Sequence, residues 1–266
     1  VRFSWAGTGL ATVAFLGIAF IYLPLIILAL FSFNDSDFMA FPLQGFTLHW
    51  YEDLFADRRL FEAAGNTLVV GTSTVALAIV AGTGAAIALH GRHFFGKSVI
   101  EAVVLLPIII PGVMLGLSLL SLYVDLGVRR SLWTVVLGYA TFSTSFIMLI
   151  VGATLRTIDP AIEEAARDLR ASYWGIQFRV ILPMLAPAIL GGAILCFVIV
   201  IDEYIIAFLN SGTKETLPLI VMGMMKYGIS PKINALASLL YVVSFAFVTV
   251  AYMFIVRAAA RNRSLA

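Results

Sequence analysis

The chain holds one cysteine and three histidines in 266 residues, and only 12% of its residues are charged. The single thiol, Cys196, excludes an intramolecular disulfide and any zinc site built on cysteines. His49, His90 and His93 lie outside the long apolar runs or at their edges. No H-E-x-x-H pair or Ser/His/Asp set accompanies them, which leaves an intramembrane enzyme without its machinery. A soluble domain carries about a quarter charged residues, so a water-soluble enzyme and a disordered chain are both excluded. The formal charge of +2 is too small to suggest a nucleic-acid partner. What fills the gap is apolar: 61% of the residues are hydrophobic and the mean hydropathy is +1.02.

Those apolar residues are gathered into runs without Asp, Glu, Lys, Arg or His over 3–34, 63–89, 102–124, 131–155, 180–201 and 233–256. A hydrocarbon core of about 30 Å needs roughly 20 helical residues. Strands are disfavoured by the missing period-2 alternation, and backbone groups in lipid must bond internally. The chain therefore reads as an all-α polytopic membrane protein, one transmembrane domain over 1–266. Its six helices are expected near 9–31, 67–90, 100–123, 132–155, 186–208 and 234–257. The first run is too long for the apolar core of a signal peptide and no A-x-A site follows it, so it reads as an anchor. Pro107 and Pro111 favour a kink or unwound turn in the third span. Ala78, Gly82 and Ala86 on the second span, and Gly112 and Gly116 on the third, are small residues at helical spacing that permit close helix approach.

Lys and Arg set the orientation. With the N-terminus inside, the inner side holds Arg2, Arg92, Lys97, Arg156, Arg167, Arg170, Arg179, Arg257, Arg261 and Arg263. The outer side holds Arg58, Arg59, Arg129, Arg130, Lys214, Lys226 and Lys232. That bias places both termini in the cytoplasm, with outer loops over 33–66, 124–131 and 209–233 and an inner loop over 156–183.

Gly91 to Ser98 fits the phosphate-loop pattern G-x-x-x-x-G-K-[ST]. That loop needs a buried strand before it and a soluble helix after it. Here it is a basic turn between two membrane helices, so no nucleotide-binding residues are assigned.

The 156–183 loop is the most informative segment. Asp159 suits an N-cap and Pro160 the first helical position. Ile162, Ala165, Ala166 and Leu169 then form one apolar stripe on a charged helix, and Glu163 and Arg167 are spaced for an i,i+4 ion pair. A second short segment, Ser172 to Leu182, is expected to complete a helix–turn–helix lying against the inner face. A plain amphipathic loop that stabilises the bundle is the alternative.

Glu164-Ala165-Ala166, followed by Val180, Leu182 and Pro183, resembles the EAA loop of bacterial ABC-importer permeases. The resemblance extends over nearly the whole chain and is strongest to permeases of the spermidine/putrescine type. It is carried by Phe31-Ser32-Phe33-Asn34, Phe46-Thr47, Trp50-Tyr51, Leu117-Ser118-Leu119-Leu120, Thr216-Leu217-Pro218, Ile229-Ser230-Pro231 and Asn234-Ala235-Leu236-Ala237. It implies a type I importer permease fold and a coupling helix that docks into a cleft on a cytoplasmic ATPase. Glu163, Glu164, Ala165, Ala166, Asp168, Leu169 and Arg170 would contact that ATPase. ATP and magnesium would belong to the partner, with no cofactor, metal or catalytic residue in this chain. The implied partners are a second homologous permease, two ATPases, an extracytoplasmic binding protein, membrane lipid and a small solute, in the bacterial inner membrane. Three positions depart from the family pattern. Val180 stands for isoleucine, Arg170 stands for a glycine at a turn, and Gly112 stands where polyamine carriers often have an acid after the proline.

Asp202 and Glu203 fall near the end of the fifth span, about 24 Å along a helix starting at Ala186. An intramembrane carboxylate costs on the order of 2.5–3.5 kcal/mol and usually faces a bundle interior, a partner or water. Asp202, Glu203 and Tyr204 are therefore the candidate substrate path, with cation–π contact available at Tyr204. A helix ending at Ile201 with interfacial acids is the alternative. The apolar Leu217–Met225 stretch reads as a short outer-face helix, and Trp50, Tyr51 and Leu54 are candidate contacts at the outer gate. The resulting expectation is an ATP-driven importer permease for polyamines or a related organic cation. Permeases for amino-acid-like amines or opines, and a self-sufficient secondary transporter, remain as alternatives. The last would need intramembrane ion ligands and usually repeated halves; the chain has one acidic pair and no clear repeat.

Overall fold

The computed structural model describes residues 5–226 and 230–263; Arg2 and Ile229, used above, lie outside them. The described residues form helices and no strand: α1 (Trp5–Phe31), α2 (His49–Ala56), α3 (Arg58–Leu89), α4 (Lys97–Ile109), α5 (Gly112–Asp125), α6 (Leu132–Leu155) and α7 (Pro160–Asp168). They continue with α8 (Tyr173–Ile176), a π-helical turn (Gln177–Ile181), α9 (Leu182–Asp202), α10 (Ile205–Asn210), α11 (Leu217–Lys226) and α12 (Pro231–Arg263). Five stretches are long and apolar enough to cross a membrane; α4 and α5 together make a sixth, bent by 109°. The all-α, six-span reading holds.

Two spans differ in shape from the sequence expectation. The third is two half-helices. Pro111 pushes Ile110 to an extended ψ of 126° and supplies no N–H, so α4 ends and α5 restarts at Gly112. The fifth, expected over 186–208, runs instead as one apolar helical stretch over Tyr173–Asp202. Pro183 would clash with the carbonyl four residues back in a regular α-helix. The wider π-helical turn over Gln177–Ile181 precedes it, and the helical path continues through. The second half of the expected helix–turn–helix is thus the first part of the fifth span.

The chain gathers into two compact units, Val1–Phe61 with Val221–Ala246 and Glu62–Ile220 with Phe247–Ala266. In the larger unit α6 is the most enclosed span and packs on α4, α9 and α10. Lipid supplies no hydrophobic force between helices, so contact depends on close fit. The expected small-residue notch on α3 provides it: Ala78 and Ala86 are buried, and a Cβ on Gly82 would stand 2.7 Å from both the Ile147 Cβ and the Thr144 carbonyl oxygen. Gly116 on α5 likewise lies against Leu209 and Ile206 of α10.

In the smaller unit the 32–57 loop is built around buried polar groups. Asn34 is 1% exposed; its Oδ1 accepts from the Gln44 amide at 2.9 Å, and its carbonyl accepts from Trp50 Nε1 at 2.9 Å. Tyr51 and Ser32 share a hydroxyl hydrogen bond of 2.8 Å, Phe33 stacks on Phe46 and meets the Tyr51 ring at a tilt, and Leu54 is buried. Trp50, Tyr51 and Leu54 are therefore committed to holding this loop together.

Asp57 and Lys232 close the same unit with an ion pair of 3.1 Å. Burial pushes the Asp57 carboxyl up, but the Lys232 hydrogen bond and charge, with the Leu60 and Arg59 amides, outweigh it and hold the group below its ordinary value. A lowered acid stabilises the fold at and above the ordinary carboxylate range and loses that contribution as pH falls through the lowered value. Asp57→Asn should therefore lower the thermal midpoint modestly at pH 7 and leave it unchanged near pH 2. Melting curves of the two proteins across that range check it.

Candidate functional site

The 156–171 segment forms as its residues dictate. Asp159 accepts from the Ala161 amide at 2.9 Å and Pro160 occupies the first turn of α7. Glu163 and Arg167 pair at 3.0 Å, a surface contact worth a few tenths of a kcal/mol. The apolar stripe is only half covered. Ile162 and Ala166 are half-buried, with Ala166 packed on the cluster of Ile176, Ile181, Leu155 and Val151. Glu164, Ala165 and Asp168 are exposed, and Leu169 is 85% exposed. A helix anchored on one side thus presents two acids, an alanine and a bare leucine on the other.

The turn that ends α7 answers the question raised by Arg170. Its φ is +59°. The Ala171 amide donates to the Ala166 carbonyl at 3.1 Å and the Arg170 amide to the Arg167 carbonyl at 2.8 Å, the pair of bonds that closes a helix in the Schellman manner with the positive-φ residue at C′. The turn keeps the glycine geometry and arginine bears the cost, so Arg170→Gly should stabilise the protein by about 1 kcal/mol. Denaturation curves of the purified variant check this, with a rise in midpoint expected.

Beyond the turn, Ser172 caps α8 by accepting from the Gly175 amide at 3.1 Å. Ile176, Gln177 and Ile181 are buried while Tyr173, Trp174 and Phe178 are exposed. The Gly91–Ser98 pattern is a turn between α3 and α4 in which Gly91 and Gly96 have φ of +62° and +86°, with helices and no strand on either side.

At the far end of α9 the two candidate acids diverge. Asp202 is the last residue of the helix and is exposed. Glu203 leaves the helix and turns inward, where its Oε1 and Oε2 accept from the Ile205 and Ile206 amides at 3.0 Å each. Its carbonyl accepts from the Tyr139 hydroxyl at 2.7 Å. A carboxylate on free amides at a helix start is stabilising, so Glu203 caps α10, and the expected straight span to residue 208 breaks at this cap. A Cβ on Gly112 would stand 3.8 Å from the Glu203 Oε1, an ordinary van der Waals contact, so the α4–α5 break lies beside this carboxylate. Tyr204 stacks on Phe208 at 5.3 Å. Glu203 also lines a narrow cleft with Thr67, Tyr139, Thr216 and Pro218.

Several residues the sequence did not single out organise this end. Asn210 donates to the Gly116 and Ile206 carbonyls, and Thr134 donates to the Asn210 carbonyl at 2.7 Å. The Leu217 amide donates to Thr67 Oγ1 at 2.8 Å and Asn66 donates to the Glu215 carbonyl at 2.7 Å. The available signal was a lone hydroxyl or amide in an apolar run, which in lipid must find a partner.

The chain is similar to known proteins over most of its length. Residues 76–264 match the family described as binding-protein-dependent transport system inner membrane component. The spermidine/putrescine transport system permease protein PotC of Escherichia coli (strain K12) is 34% identical over 231 residues, covering 86% of this chain and 87% of that one. The putrescine transport system permease protein PotI of the same strain is 36% identical over 234 residues, covering 85% and 83%. A bacterial ABC transporter involved in the import of the acidic polysaccharide alginate shares the fold with a TM-score of 0.76 at 16% identity, covering 95% of this chain and 96% of that one. A chain of the MetNI methionine ABC transporter in an inward-facing conformation matches with a TM-score of 0.64 at 17% identity, covering 75% and 95%.

Proposed function

Since the chain belongs to the family of binding-protein-dependent transport system inner membrane components, and is a permease subunit of an ABC importer homologous to the PotC and PotI permeases, we propose that its cargo is a polyamine or a related small organic cation and that α7 is the helix through which an ATPase drives it. The cargo reading is supported by relatives named for spermidine and putrescine that match most of both chains. The coupling reading is carried by one observation: α7 is anchored by Ile162 and Ala166 while Glu164, Ala165, Asp168 and Leu169 are left bare. Two cytoplasmic ATPases hold the ATP and magnesium, a second homologous permease completes the pathway, and an extracytoplasmic binding protein delivers solute. Residues 156–172 and both termini lie on the cytoplasmic side of the inner membrane, and the stretch from Tyr173 is the cytoplasmic end of the fifth span.

In this reading the exposed Asp202 is the acid available to a cation, because the Glu203 carboxylate is already engaged by two amides. The experiment for cargo is a thermal-shift panel on the cognate binding protein with polyamines, γ-aminobutyrate-like amines and opines. Stabilisation by putrescine or spermidine is expected; stabilisation by an opine alone overturns the polyamine reading.

A further inference from the structure

Opposite in charge to α7, a second exposed surface is assembled from two separate inner turns. The Arg92 guanidinium donates to the Tyr173 hydroxyl at 3.0 Å and its Cζ stands 5.8 Å from the Tyr173 ring centroid, a cation–π arrangement. This contact ties the α3–α4 turn to the start of the fifth span. From there an aromatic ladder runs along the helix: Tyr173 packs edge-on against Trp174 at 5.3 Å, and Trp174 stacks on Phe178 at 5.9 Å. Trp174 is 67% exposed and Phe95, at the tip of the turn, is fully exposed. Arg179 is exposed beside Phe178, and neither Arg92 nor Arg179 has a carboxylate partner among the described residues.

We propose that this face, Arg92, Phe95, Trp174, Phe178 and Arg179, binds the headgroups of anionic phospholipids in the inner leaflet. Two features select lipid over a protein partner. The ladder occupies the first turns of a 30-residue membrane-spanning stretch, the depth at which tryptophan and tyrosine settle at the headgroups. The charge also differs, with Glu164 and Asp168 bare on α7 and two arginines without a carboxylate partner among the described residues here. Arginines beside a membrane boundary gain about fivefold each in affinity for an anionic surface. The proposal rests on the inner-side assignment made above.

The test uses the complete transporter in nanodiscs of phosphatidylcholine, alone or with about a third phosphatidylglycerol. Native mass spectrometry counts retained lipids. The wild type should keep phosphatidylglycerol preferentially; Arg92→Ala with Arg179→Ala should keep it roughly 20-fold less well, and Arg92→Lys with Arg179→Lys should restore most of it. Equal retention by the alanine variant, or no preference in the wild type, overturns the proposal. Loss of the ATPase from the alanine variant in pure phosphatidylcholine also overturns it, since the face would then be a protein contact. A separate measurement isolates the inner-side assignment. Phe95→Cys should react with an impermeant maleimide only in inverted vesicles, and labelling from outside would sink that assignment on its own.

Discussion

Glu164→Lys should reduce solute uptake and binding-protein-stimulated ATP hydrolysis by about a hundredfold while the permease itself still folds. Glu164 is exposed on α7 and its side chain makes no hydrogen bond or ion pair among the described residues, so its replacement leaves no buried group unpaired. A like-charge juxtaposition in a protein interface costs several kcal/mol, and in the proposed coupling role of α7 that loss falls on ATPase docking. Uptake and ATPase rates in proteoliposomes, alongside co-purification of the ATPase, measure it. Glu163→Gln is the internal comparison. It removes only the exposed 3.0 Å pair with Arg167, worth a few tenths of a kcal/mol, and should change uptake by less than about threefold. Wild-type uptake by Glu164→Lys would sink the coupling role of α7.

Gly82→Val should be the most damaging substitution in the spans. Its Cβ would meet the Ile147 Cβ and the Thr144 carbonyl oxygen at 2.7 Å. The carbonyl belongs to the α6 backbone and moves only if α6 moves, so the cost should reach at least about 3 kcal/mol. On the far side, a Cβ on Gly192 of α9 would stand 2.9 Å from Ile147 Cδ1, which leaves Ile147 little space to retreat. Gly84 is two residues away with nothing within 4 Å of an added Cβ, and Gly84→Val should change stability by less than about 1 kcal/mol. Yield of the intact complex and its thermal midpoint in detergent should separate the two variants. A Gly82→Val protein as stable as Gly84→Val would show that α3 and α6 do not meet as described.

The contrast between these two glycines marks the limit of what spacing reveals. Gly82 was legible because Ala78, Gly82 and Ala86 recur every four residues, and a helix puts such positions on one face. The N-cap at Asp159 and the Glu163–Arg167 pair were legible for the same kind of reason: each depends on neighbours within one or two turns. The α4–α5 break was half legible. Pro107 and Pro111 announced a disturbance, but a proline restricts its own φ and the residue before it without setting the angle between the helices it separates.

The fifth span was misjudged at both ends. At the inner end Pro183 looked like a stop, yet a π-helical turn carries the helix past it. At the other end the main expectation ran through Asp202 and Glu203 to residue 208, whereas α9 ends at Asp202, close to the alternative of an end at Ile201, and α10 is a separate short helix. Composition reports what an element can be buried in, and gives no account of where one helix yields to the next.

From its residues alone, the chain reads as one that lives in lipid and crosses it six times as helices, with one charged amphipathic helix between the fourth and fifth spans. Those properties follow from local rules: backbone bonds satisfied within a segment, apolar length against membrane thickness, and charge placed near helix ends. Only the tertiary structure decided that Glu203 spends its charge on the α10 amides while Asp202 stays exposed, that Arg170 holds a positive φ, and that Arg92 meets Tyr173 across 81 positions of sequence. The last depends on atoms brought together from distant segments, a distance the linear order of residues does not contain, while the first two are choices among local turns that residue spacing leaves open.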